Sequence, residues 1–69
     1  MTVIVGVIES FDGDRGWGLL RGEGGRAFYF HCAEIADGSR TIGVGLRAHG
    51  ARVVGRLGHD EVANVAPVD

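Results

Sequence analysis

Residues Gly16–His31 read GWGLLRGEGGRAFYFH, and two short alternating runs around a glycine-rich break decide the fold. In an extended chain neighbouring side chains point to opposite faces, so Phe28 and Phe30 share one face while Tyr29 and His31 share the other. Ala27–His31 therefore reads as a strand with an apolar side and a side of polar-tipped rings. Gly16–Leu20 reads as the strand before it, with Trp17 and Leu19 on one face and Leu20 on the other. Between them, Gly22-Glu23-Gly24-Gly25 supplies backbone positions free to take positive φ. A connection this short joins antiparallel neighbours only.

The pattern extends in both directions. Val3–Phe11 is rich in β-branched residues and is stopped by the turn-forming run Asp12-Gly13-Asp14, which makes it the first strand of a meander. Gly6 inside it signals a bend or a close backbone approach. Cys32–Ile35 has room for one helical turn, and Asp37–Gly45 reads as a long loop. Leu46–Val54 and Glu61–Val65 give the fourth and fifth strands, joined by a hairpin over residues 55–60. No segment has the apolar spacing of a helix of ten or more residues. The expected fold is all-β: one domain over residues 1–69, folded as a five-stranded antiparallel Greek-key barrel in which closure protects the strand edges. This is the architecture of the oligonucleotide-binding barrels.

Composition bounds what such a barrel can be. Sixty-nine residues allow one compact core. The single cysteine, Cys32, excludes an intramolecular disulfide, and without clustered Cys and His no structural zinc site is expected. Thirteen glycines lower the expected stability, because a glycine inside a strand costs about 0.5 to 1 kcal/mol relative to alanine. Met1–Val7 is apolar but lacks a basic leader and a cleavage site, and no apolar run reaches membrane-spanning length. A soluble, cytoplasmic protein without membrane contact is expected. The net charge of -2 is the reverse of the balance usual in nucleic-acid binders. All seven basic residues are arginine, a side chain that can fork onto a phosphate or lie flat on a base.

Placing the two phenyl rings of Phe28 and Phe30 in the core leaves Tyr29 and His31 outside, where their polar tips meet water. If the second and third strands pair, Trp17 lies beside Tyr29 and His31, with Leu19 on the same face. An exposed indole, phenol and imidazole on adjacent strands make a stacking platform, since every base has a π-face. Arg15 would sit at its edge, to meet a phosphate or stack through its guanidinium. Phe11 has two readings, a lid on the core or a further ring on the binding face. Arg56, in the last hairpin, is a weaker candidate for phosphate contact.

These residues resemble a known family. Arg15-Gly16-Trp17-Gly18-Leu19-Leu20 is similar to the first ribonucleoprotein motif of bacterial cold-shock proteins, and Phe28-Tyr29-Phe30-His31 to the second. The resemblance continues through Gly6, Phe11, Ile35, Thr41, Gly45 and Ala63-Asn64-Val65. It implies that Arg15, Trp17, Tyr29 and His31 occupy base-stacking or phosphate-contacting positions, with Phe11 at the edge of the same face. The implied role is binding single-stranded RNA or DNA with low sequence specificity, as a nucleic-acid chaperone or regulator of gene expression. Departures from the family are Ser10 where Trp is usual, Cys32 and Leu19 where Phe is usual, and Val7 and Glu9 where lysines are expected. Each lost ring removes stacking energy, and Glu9, Asp12 and Asp14 repel phosphate. Binding weaker than that of a typical member is expected.

Other constellations fail on spacing. His31 and Cys32 are strand neighbours that point apart, so they do not pair as base and nucleophile. Asp12-x-Asp14 with Glu23 has Gly16 and Trp17 where a calcium loop needs a ligand and a glycine. Gly43-Val44-Gly45 lacks the third glycine and the strand-turn-helix setting of a dinucleotide fingerprint. No enzymatic activity, metal or cofactor is expected. The competing expectation is a barrel turned to protein binding or homodimer formation through a patch of Trp17, Leu19 and Val7.

Overall fold

The computed structural model describes residues 2–55 and 59–68. Five strands form a closed barrel in the order β1-β2-β3-β5-β4, from β1 (Val3–Asp12), β2 (Trp17–Gly22), β3 (Ala27–His31), β4 (Arg47–Val54) and β5 (Asp60–Pro67). The expected all-β Greek-key barrel is the fold observed. A single 3-10 turn, Cys32–Glu34, follows β3 where the sequence has room for one helical turn. No helix among the described residues is long and apolar enough to cross a membrane.

β1 is shared between two neighbours, β2 and β4, and two local features let it curve between them. The first is Gly6, opposite Gly22 on β2 and Ala48 on β4; a Cβ there would collide with the Arg21 carbonyl, so the backbones approach as only glycine permits. The second is a register shift between Ile8 and Ser10, which places Glu9 at a bulge and bends the strand. Ring closure is the one junction that runs parallel: Tyr29 on β3 pairs with Glu61 on β5, and Ile35 bridges Val65 in the same sense. Everywhere else the sheet is antiparallel.

The inward row contains the residues that alternation assigns to the core. Phe28 and Phe30 are buried, together with Ile8, Leu20, Ala48, Val62 and Val65. The loop between the 3-10 turn and β4 adds Ile35 and Ile42 to this cluster. Although that loop has no regular structure, it is tied down: the Asp37 carboxylate accepts the Ser39 N–H at 2.8 Å, and Gly45 donates its N–H to the Ile8 carbonyl at 2.8 Å. The Ser39 hydrogen bonds hold the Asp37 carboxyl below the ordinary carboxylate range.

Strand limits differ from the sequence reading by one or two residues at several ends. β2 begins at Trp17, because Gly16 has φ +78° and belongs to the preceding turn. β2 runs on to Gly22, and β5 runs from Asp60 to Pro67, because their partner strands continue alongside.

Candidate nucleic-acid interface

The outer face of β1-β2-β3 is organised in rows set by register. One row is Asp12–Trp17–His31, the next Ser10–Leu19–Tyr29, and the next Val7–Arg21–Ala27. Trp17, Leu19, Tyr29 and His31, separated in sequence, thus share one surface. The Trp17 and Tyr29 ring centroids are 5.2 Å apart at an interplanar angle of 41°. Tyr29 and His31 are exposed, and Trp17 and Leu19 are half-buried. Trp17 stands on the outer row, half-buried beside Tyr29.

The turn before β2 fixes Trp17. The Asp12 carboxylate accepts the N–H groups of Asp14 and Arg15, each at 3.1 Å, and Gly16 donates to the Asp12 carbonyl at 2.8 Å. Cys32 then donates its N–H to the Gly16 carbonyl at 2.8 Å, locking the start of β2 against the end of β3. Beneath the platform, Gly18 is buried, and a Cβ there would lie 2.6 Å from the Ser10 carbonyl oxygen and 2.7 Å from the Phe30 ring. Absence of a side chain at Gly18 lets Phe11 and Phe30 meet across it.

Phe11 belongs to that inner row. It lies opposite Gly18, is half-buried, and stacks on Phe30 with centroids 6.1 Å apart and planes 10° from parallel. Of its two readings, the geometry is that of a lid on the core. Arg15 projects from the turn at the Trp17 edge, with its side chain 75% exposed and its Nε 3.7 Å from Asp12. Arg56 lies outside the described residues.

A further ring joins the platform. His59, just ahead of β5, meets Tyr29 edge-on with centroids 5.6 Å apart at 71°. Tyr29 therefore has an aromatic neighbour on each side. The sequence alone places His59 in a hairpin, because its proximity to Tyr29 arises only when β5 closes the barrel against β3.

Electrostatics around the platform differ from a simple count of carboxylates. Glu9 is gripped by Arg21, with Nε–Oε1 at 2.7 Å and Nη2–Oε2 at 2.8 Å, and Arg21 also donates to the Gly25 carbonyl at 2.6 Å. The hydrogen bond from Arg21 holds the Glu9 carboxyl below its ordinary pKa and raises that of the guanidinium. Glu9 is thus a neutralised pair, not a free repulsive charge. The other pairs are looser: Arg26–Asp60 at 3.4 Å, Arg52–Asp60 and Arg47–Glu23 at 3.5 Å. Among the described residues no group of three His, Cys, Asp or Glu side chains is placed to hold a metal ion.

Compared with models of known protein families and with the sequences of curated proteins, the chain matches none.

Proposed function

We propose that the protein binds single-stranded RNA or DNA with low sequence preference, by stacking bases on Trp17, Tyr29 and His31, as a nucleic-acid chaperone similar to the bacterial cold-shock proteins. The observation that carries this reading is the Trp17–Tyr29 pair, rings 5.2 Å apart on the outer face of adjacent strands, with His31 opposite Trp17. Such rings accept any base, at about 1 to 3 kcal/mol per stack. Selectivity then falls to strandedness, because a paired base has no free π-face to offer. Arg15 supplies positive charge at the Trp17 end, and neutralisation of Glu9 by Arg21 removes one source of repulsion.

The protein-binding alternative is less well supported. It needs Trp17, Leu19 and Val7 to form one apolar patch, whereas Val7 sits opposite Arg21, whose guanidinium is bound to Glu9. Charge interrupts the patch between Val7 and Trp17.

Trp17 is the sole tryptophan, so its fluorescence reports on the platform directly. Titration with oligothymidylate and oligouridylate should give saturable quenching that weakens as salt rises. Absence of quenching at high micromolar oligonucleotide, with the protein shown to be folded, would overturn the proposal.

A further inference from the structure

The Tyr29–His59 contact leads away from the platform toward the start of β5, where arginines and carboxylates meet. His59, Asp60, Arg52 and Gly55 line a groove of about 390 Å³ beside that contact. Asp60 sits in it between two guanidiniums brought from distant parts of the chain. Arg26 comes from the residue before β3 and Arg52 from β4, and each reaches a different oxygen of the one carboxylate.

Two guanidiniums converge on Asp60 while the Glu61 carboxylate lies beside Gly55 in the same groove, so what distinguishes these arginines is how loosely they are held. Both ion pairs are long, at 3.4 and 3.5 Å, and the arginine side chains are 60% and 48% exposed. Exposed pairs of this length are weak. Arg21 is the contrast, bound at 2.7 and 2.8 Å by both oxygens of Glu9 and held again by a carbonyl. It is committed to its partner; Arg26 and Arg52 can turn to another anion. A guanidinium presents paired N–H donors that match a phosphate as well as they match a carboxylate.

We infer that Arg26 and Arg52 form a phosphate subsite for the strand bound on the platform, joined to Tyr29 by His59. The inference rests on the stacking reading and adds a direction to it. Bases stack along Trp17 and Tyr29, and the backbone leaves past His59 over the two arginines, crossing from β2 through β3 toward β4 and β5. Asp60 is then a competitor for the subsite, holding the guanidiniums together when no strand is bound and opposing the phosphate that replaces it.

The test uses the full chain, with Trp17 quenching by oligothymidylate as readout, in the wild type and in Arg26→Gln, Arg52→Gln, the double variant and Asp60→Asn. For a single strand, each phosphate contact contributes about 0.7 to the slope of log affinity against log salt. Loss of both contacts should make the slope shallower by about 1.4, so that the double variant's deficit shrinks about sevenfold between about 50 and about 200 mM salt. Asp60→Asn should tighten binding severalfold, the opposite of the effect expected if Asp60 only ties the barrel together. The single variants each retain one arginine on Asp60, so the inference stays open to test if the double variant does not fold. Quenching in the wild type with unchanged slopes in the folded arginine variants overturns the subsite and leaves the platform standing. No quenching in the wild type overturns the platform, and the subsite with it.

Discussion

Removing the two central rings of the platform, singly and together, tests whether they act as a unit. Trp17→Ala and Tyr29→Ala each delete one stack, about 1 to 3 kcal/mol, which is roughly a 5- to 150-fold loss of affinity. The rings are not independent, because their centroids are 5.2 Å apart, and aromatic pairs are worth about 0.5 to 1.5 kcal/mol beyond their burial. Without Trp17, Tyr29 loses the neighbour that holds it on the β2 side. Its own removal should then cost less, leaving the double variant roughly 2- to 12-fold tighter than the product of the single losses. The assay is fluorescence anisotropy of a labelled oligothymidylate, since Trp17→Ala removes the only tryptophan. Melting by circular dichroism controls for folding: Trp17 is half-buried on the outer row, so its loss should leave the barrel folded. Unchanged affinity in both single variants would refute the platform, and losses that multiply in full would refute the coupling.

The fold sets two further outcomes. Gly18→Ala places a methyl group 2.6 Å from a carbonyl oxygen and 2.7 Å from the Phe30 ring, so overpacking should cost about 1 to 3 kcal/mol; a melting temperature unchanged from wild type would mean that β1 and β2 yield without cost. Glu9, whose carboxyl is held below its ordinary pKa by Arg21, contributes stability that is present above the unfolded-state pKa and lost as pH falls through the folded value. Glu9→Gln should therefore flatten the loss of stability on acidification below the ordinary glutamate range, and an unchanged acid melting profile would contradict the pairing.

Much of this barrel is legible in the sequence because its strands obey alternation and its breaks fall on glycine and aspartate. The inward positions of Phe28 and Phe30 and the outward positions of Tyr29 and His31 follow from a period of two. Pairing of Trp17 with His31 follows once the connection is short enough to force a hairpin. The features that sequence reading misses depend on contacts distant along the chain. Ile42 lies in a loop without periodicity and still enters the core. His59 reaches Tyr29 only through the parallel closure of β3 and β5. The Arg21–Glu9 pair joins residues twelve apart, across a bulge that no local pattern announces.

That last pair bears on how an acidic chain can attract a polyanion. A net charge of -2 counts every charge equally, yet a phosphate approaching within a Debye length, about 10 Å at 0.1 M salt, meets mainly the local arrangement. Where an arginine is held by both carboxylate oxygens, as Arg21 is by Glu9, the pair presents a dipole and little attraction. Where two exposed arginines share one carboxylate, as Arg26 and Arg52 share Asp60, the cluster keeps donors able to exchange partners. In the proposed complex with a single strand, the distribution of tight and loose pairs selects which side of the platform receives the phosphate backbone. On the proposed reading it is the His59 end, where two loosely held arginines lie, that should dominate the salt dependence of binding. Arg15, a single cation placed beside Asp12, should contribute less.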